Sequence, residues 1–555
     1  GAAVCGGILG LLTLVLLTPF TWRRPRRARR LLPWSLTVVL TLAALIHWIH
    51  ASYYAYLLPP GINVRLIKAA AWLTLCALVV FYTALLHSLQ RRPYSVRSVL
   101  LLVVAGLVSA YVLLERREAF KPELEAALPS AVEARPRPLL LVVGIDSATL
   151  DAILPLAGSG HLPFFAQLID QGTHGRLSTV PPAYEATLWT SIASGKFPDQ
   201  HGVLGREVYP ASILSPGDLL RLVPAGFGGP ALRAVGLRPR PPDAHTKDVL
   251  VLWEVLAKLG LDVGVIGWPV SFPSDSALDF SFSERYFEGS YGQATARPTE
   301  LVERGILFQL STTDIDPGVV EQLGTEVPHD LLRILAGDLW RESLTTFLMD
   351  QGREVRAWFL LLPGLGEVSS RYFGSYSAVQ FEGNQRPHHQ QSAQFVTAYY
   401  RHLDAFLAQL WQRTEGPKLL AVVSAHGVRP SSGIRWVLNK LARHPLEGSF
   451  AGAPDGVLFL RGDGVRKGHF LERAELIDVM PTLLYALRFP IARDLDGRVL
   501  VSAFESSLLA RSPLTFVPSY ETLAPEEPAG EADGSARTRG RHRRARGGAD
   551  PADGG

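Results

Sequence analysis

Apolar residues follow two regimes along this chain. Up to about residue 115 they form long, nearly unbroken runs punctuated by short basic stretches. The runs at residues 6–20, 31–58, 69–87 and 99–114 each predict a membrane-spanning helix. The last is shorter than the ~20 residues a span needs, a deficit that tilt, thinning or flanking residues can absorb. Beyond this region the apolar blocks shrink. Residues 139–143, 263–267, 357–362, 419–424 and 456–460 are too short to cross a membrane. They read as strands buried on both faces, with helical patterns at 249–259 and 392–411 between them. Such alternation predicts an α/β domain with a mostly parallel sheet covered on both sides. The expected organisation is a transmembrane region over 1–115, a charged Ala-, Glu- and Pro-containing linker over 116–137, a soluble domain over 138–515 and a disordered basic tail over 516–555. Residues 209–244, rich in Gly, Pro and Leu, look like an insertion or lid within the domain.

Charge adds orientation. The formal net charge of +4 is small, but it is unevenly placed. Six arginines between Arg23 and Arg30 follow the first apolar run, and Arg91, Arg92 and Arg97 follow the third; only Arg65 and Lys68 lie between the second and third. Charges after the first run, not before it, argue for a membrane helix with a stop-transfer flank over a signal peptide. The chain opens at Gly1 and not Met, which leaves room for residues upstream. The positive-inside rule places the basic loops in the cytoplasm and the large domain outside the cytoplasmic membrane, on the periplasmic side; Arg116, Arg117 and Lys121 oppose this but are outnumbered. Both cysteines, Cys5 and Cys76, lie in membrane-like segments, so the soluble part has no disulfide framework.

His47 and His50 share a face of the second span. Intramembrane imidazoles are candidate ligands for a haem or related pigment; the plainer reading is an interfacial pair packed near the aromatic belt of Trp48, Tyr53, Tyr54 and Tyr56. The arginines of the tail, Arg537 to Arg546, could touch anionic lipid or simply be solvated. His388 and His389 read as surface residues. No Walker loop, dinucleotide-binding glycine fingerprint or zinc-ribbon spacing occurs, and nothing supports nucleic-acid binding. The expected partners are membrane lipids and other subunits of a membrane complex.

The most informative stretch runs from Pro138 to Gly202. Its first strand ends at Gly144-Ile145-Asp146, placing a carboxylate where open α/β sheets bind ligands. A later helix carries Trp189, Thr190 and Ser191 and stops at Ser194-Gly195-Lys196. Further along come Trp268-Pro269-Val270-Ser271-Phe272-Pro273, Asp478-Val479-Met480-Pro481-Thr482 and Arg493-Asp494-Leu495-Asp496-Gly497. In this order the motifs resemble the alkaline phosphatase superfamily, in its type I phosphodiesterase and nucleotide pyrophosphatase branch. The resemblance implies an alkaline phosphatase-like α/β/α sandwich behind the membrane helices. It also implies hydrolysis of phosphate or sulfate esters by a metal pair and a Ser or Thr nucleophile.

Carried over position by position, the implied site is depleted. Asp146 occupies the first ligand position. The nucleophile position, four residues before Trp189, is Glu185; Tyr184 lies one residue earlier, and Thr187 is half a turn away. An Asp and a His four apart become Gly366 and Ser370, and an adjacent Asp-His becomes Ala425-His426. The final His becomes Gly452. Two remaining ligands are too few for a tight zinc site. The resulting expectation is a degenerate member, without cofactor, that binds or scaffolds. The alternative is an atypical phosphodiesterase or phosphatase holding one zinc or manganese ion between Asp146, Glu185 and His426.

Overall fold

A computed structural model describes residues 25–57, 60–90, 94–114, 137–210, 219–221, 232–233, 236–324, 326–351, 354–384, 386–432, 446–452 and 454–521. The expected span at 6–20, nearly all of the linker and the tail from residue 522 lie outside them.

Three helices open the described chain: α1 Pro25–Tyr53, α2 Pro60–Gln90 and α3 Val96–Leu114. Within α1 and α2, residues Pro33–Tyr53 and Asn63–Gln90 are long and apolar enough to cross a membrane; the apolar part of α3, Val96–Ser109, is shorter. Small residues bring the helices together, with Ala44, Ala77 and Ala105 packed among Leu40, Leu73 and Val80. Outward positions such as Leu42, Trp72, Leu78, Leu100 and Leu107 stay apolar and exposed. Two boundaries differ from the sequence expectation. The second span stops at Tyr53, followed by a tight turn over Ala55–Leu57, and the next helix begins at Pro60, not at residue 69. Proline at a helix start is pre-organised for helix, which absorbs the loop.

The soluble domain is organised on β1, Leu139–Ile145. Its alternate residues serve two separate cores: Leu141, Val143 and Ile145 face one, Leu140 and Val142 the other. This explains the unbroken apolar run. The other strands are β2 Thr173–Ser178, β3 Val263–Ile266, β4 Phe280–Phe282, β5 Ala296–Arg297, β6 Ala357–Leu362, β7 Lys418–Ser424, β8 Gly456–Gly462 and β9 His469–Glu475. They form one sheet in the order β9-β2-β8-β7-β1-β6-β3-β4-β5. Neighbours of β1 on both sides, β6 and β7, run parallel to it, and only β5 and β8 run against the rest.

Helices cover both faces. On one lie α4 Leu150–Gly158 and α5 Pro163–Gln171, with three longer helices contributed later in the chain. On the other lie α6 Glu185–Ser194, the single turn α7 Pro198–His201 and α8 Leu252–Lys258. The first face is completed by α9 His329–Met349, α10 Gly364–Glu382 and α11 Pro387–Arg413, and the second by α12 Val479–Ala486. Gly144 has a steric role, since a Cβ there would collide with Leu361 and press on Trp189. Its absence lets Trp189 of α6 lie on the sheet, edge-on to Trp268 at 5.1 Å.

The folded part continues past the expected start of the tail, to Glu521. Phe516–Val517 pairs with Ile491–Ala492, and Val517 and Tyr520 are buried. Lys196, just beyond α6, is 2.7 Å from both Asp494 and Glu521, and Glu521 also accepts from the Leu250 N–H. A Pro- and Glu-rich composition hid this clasp. Lys196→Met strands two carboxylates at a largely buried position and should cost about 3 kcal/mol. Chemical denaturation of the full chain in detergent reads this as a lowered midpoint; an unchanged midpoint would show that the clasp is dispensable.

Candidate functional site

The C-terminal ends of β1, β6 and β7 meet at one place. Asp146 follows β1, Gly366 lies in the first turn of α10 after β6, and His426 follows β7. Glu185 opens α6 above them. The sequence-assigned positions are thus brought together by three adjacent strands and two helix N-termini.

His426 is buried, and its Nδ1–H donates to the Gly427 carbonyl at 3.0 Å. This leaves Nε2 facing Asp146 Oδ1 at 3.5 Å, an oxygen that is buried without a hydrogen bond. Burial holds the His426 pKa below its ordinary value. Burial raises that of Asp146, against hydrogen bonds from Ser147 and helped by the Glu367 charge. Both shifts favour the neutral forms of the two groups. The Glu185 pKa is also raised, first by the surrounding walls and then by Asp146, with His426 and Arg206 opposing. Its side chain nevertheless meets water in the cleft, which limits the effect.

The substituted positions supply no further donors. A Cβ built on Gly366 would collide with the Asp146 carboxylate, so this carboxyl occupies the space a side chain at 366 would need. Ser370 Oγ donates to the carbonyl of Glu367 in its own helix. Ala425 is buried, and Gly452 has a left-handed backbone at φ 80° with open space where a side chain would project. Thr187 is fully buried within α6 and cannot present its hydroxyl to the cleft.

Beside Glu185 opens a cleft of about 940 Å³. Its far wall is α9, whose Asp338 and Arg341 the sequence reading did not single out. Asp338 is 1% exposed and accepts from the Gly364 N–H and, at 2.7 Å, from the Tyr399 hydroxyl. Burial pushes its pKa up to about 7 although Arg341 opposes. In the sequence nothing separates Asp338, Arg341 and Glu342 from the exposed charges of the same helix. Two non-glycine residues at this end of the domain have left-handed backbones: Ser147 directly after Asp146, at φ 63°, and Val270 on the cleft wall, at φ 61°. For β-branched Val270 this is a strained conformation of the kind concentrated at functional sites.

Other histidines lie elsewhere. His201 is fully buried, accepts from the Val203 N–H and lies 2.9 Å from Ser191 Oγ, fixing the turn after α7 in its neutral form. His389 Nδ1 is 2.8 Å from Ser375 Oγ, and His388 is exposed. In the membrane region His47 donates to the Ala43 carbonyl at 2.8 Å, whereas His50 packs edge-on to Tyr54.

The family model for type I phosphodiesterase / nucleotide pyrophosphatase matches residues 140–461, more than half of the chain. The chain belongs to the type I phosphodiesterase/nucleotide pyrophosphatase family. Solved structures similar to it include a mutant of the alkaline phosphatase PafA, at 14% identity over 67% of this chain and 100% of that one, TM-score 0.42. Murine ectonucleotide pyrophosphatase/phosphodiesterase 5, an inactive form in complex with AMP, is 13% identical over 66% and 98% of the two chains, TM-score 0.37. The phosphonate monoester hydrolase of Silicibacter pomeroyi is 16% identical over 67% and 78%, TM-score 0.36. No curated protein matches.

The metal pair implied by this family does not fit the donors present. Asp146 and His426 converge, but among the described residues no three His, Cys, Asp or Glu side chains are placed to hold one ion together. The cleft itself is lined by five acids, Glu185, Glu284, Glu288, Asp338 and Glu367, and four arginines.

Proton linkage is measurable here. The folded domain holds the Asp338 proton up to about 7, whereas the unfolded chain releases it at its ordinary 3.8. Between these values the folded state binds more protons, so stability falls as pH rises, by up to about 1.4 kcal/mol per pH unit. Asp338→Asn keeps an acceptor for Gly364 and Tyr399. It should flatten the fall in Tm across that interval relative to the native chain; parallel curves would remove Asp338 from the linkage.

Proposed function

We propose that this is a membrane-anchored phosphodiesterase-family protein that does not hydrolyse esters and acts by binding, as a scaffold or ligand-holding subunit of a membrane complex. The observation that carries this reading is the collapse of the Asp146 carboxyl into the space beside Gly366. Where two carboxylates would flank a metal, one carboxyl rests against backbone. The residue at the nucleophile position, Glu185, has no hydroxyl to activate. A carboxylate can act as a nucleophile in other chemistries, but phosphoryl transfer here would also need the cations that neutralise the transferring group.

The anchor and its orientation belong to the same reading. The turn after α1 packs on α7 of the domain, where Leu57 is 1% exposed and Tyr54 is buried. The phenol of Tyr54 meets that of Tyr184, the residue before Glu185, and burial with this neighbour pushes the Tyr184 pKa up to about 12. The hairpin turn and the domain therefore share a side, opposite Arg97 at the start of α3. The positive-inside rule then supports an extracytoplasmic domain on a multi-pass anchor in the cytoplasmic membrane, in contact with lipid through the exposed apolar helix faces.

Purified full chain, dialysed against trace zinc or manganese, should retain less than one ion per chain and leave bis-p-nitrophenyl phosphate unhydrolysed. One tightly held ion lost in both Asp146→Ala and His426→Ala, together with hydrolysis, would establish the one-metal enzyme instead. For orientation, a cysteine at exposed Ser506 should react with an impermeant maleimide on intact cells. Labelling only after lysis would invert the topology.

A further inference from the structure

We propose that the seam between α9 and α11, behind the cleft, is a proton-operated latch: a protonated His402 holds α9 closed against α11, and loss of that proton loosens the cleft wall. This holds whether or not the site hydrolyses an ester.

Two polar rungs cross the seam. In the first, the Tyr399 hydroxyl of α11 donates to Asp338 of α9 at 2.7 Å. In the second, about one turn further along both helices, His402 Nε2 lies 3.0 Å from Glu342 Oε1. Both side chains of the second rung are buried, at 13% and 8% exposure. Among the described residues, His402 is the one hydrogen-bond partner of the Glu342 carboxylate. The same helix forms the cleft wall, through Gly337, Asp338, Trp340 and Arg341. Asp338 also accepts from the Gly364 N–H at the start of α10, whose Gly364 and Glu367 line the cleft as well. The two rungs therefore fix three helices, and two of them bound the cleft.

Asp338 and Glu342 are four residues apart on one buried helix face, a spacing at which like charges repel. His402 brings a cation to this face from α11. Arg341, on the cleft side of α9, offsets the Asp338 charge in part, and its Nη1 donates to the Gly337 carbonyl at 2.8 Å. Charges on the other elements packed here are engaged or exposed. Asp404 of α11 accepts from the N–H groups of Phe164 and Phe165 at the start of α5. Asp316 and Glu321, at the helix Pro317–Leu323 that packs on α11, are exposed, as is Glu367 of α10 beside Arg333.

Burial opposes the charged imidazole, but the Glu342 carboxylate and then Asp338 outweigh it and hold the His402 pKa above its ordinary value. The unfolded imidazole titrates at its ordinary 6.5 and the folded one higher. The second rung therefore stabilises fully below 6.5 and is lost as pH rises through the folded value. A neutral His402 leaves Glu342 buried beside Asp338 with no cation from α11, and a buried charge whose partner is removed is strongly destabilising. The element that gives way is the wall of the cleft. On the extracytoplasmic topology proposed above, the seam meets the pH outside the cytoplasm, so the cleft wall would respond to it.

The test is hydrogen exchange of the full chain in detergent, read by mass spectrometry and corrected for the intrinsic base-catalysed rate. From about pH 6 to about pH 8.5, protection of α9 should fall at least fivefold relative to that of α12 on the opposite face of the sheet. In His402→Gln, which cannot take up the proton, α9 should already be weakly protected at the acid end, and the fall should shrink. Glu342→Gln keeps an acceptor for the imidazole but removes the charge that favours its protonation. It should flatten the fall in the same way, and it keeps the test open where His402→Gln fails to fold. Protection of α9 that does not change with pH overturns the proposal, as do parallel curves for the native chain and the variants. An equal loss in α12 would mark destabilisation of the whole domain and overturn the latch too.

Discussion

A carboxyl group at the tip of a strand buried on both faces must share its charge with a cation or keep its proton. Asp146 is in that position, because β1 is flanked by parallel neighbours and sandwiched between two apolar cores. The metal pair implied by the family would meet the requirement with divalent cations. On the non-hydrolytic reading proposed above, this chain meets it differently. Gly366 yields the space for the carboxyl, Ala425 adds no second charge, and His426 turns an unprotonated nitrogen toward it. The local electrostatics follow, including the crowding of Glu185 and the neutral state of the imidazole.

The architecture was legible because both-face burial leaves an unmistakable mark. The runs at Leu139–Val143, Ala357–Leu362 and Leu419–Ser424 fall within strands, and their alternation with helical patterns specifies parallel pairing. Spacing from Trp189 placed Glu185 at the start of a helix, and motif neighbours placed Gly366 and His426 at their strand ends. The far wall was not legible. Asp338 and Arg341 sit on a helix whose surface charges and buried charges are the same residue types, and only tertiary contact separates them. The end of the domain was misplaced for a similar reason: Glu521 reads as part of an acidic tail until Lys196 is seen beside it.

Helix α6 shows how the site is held rigid. From Thr187 to Ser194 every residue is buried, and Trp189 reaches over Gly144 onto the sheet. Its C-terminal end closes with Gly195 in a left-handed conformation, next to the Lys196 clasp. Its N-terminal end begins at Tyr184, against the hairpin turn. Glu185 is thus carried on an element fixed at both ends, so its position is set by packing and not by its own contacts.

The contact between Tyr54 and Tyr184 has a kinetic side. A domain joined to a bilayer by a single strand of chain can face any direction, and its cleft meets surface-bound molecules only in a fraction of its orientations. On the anchored topology proposed above, a domain clasped beside its cleft keeps one attitude and one height above the headgroups. For a molecule diffusing in the leaflet, the search for this cleft becomes two-dimensional and needs no tumbling of the domain. Local density in the membrane, more than bulk concentration, then sets how often the cleft is visited.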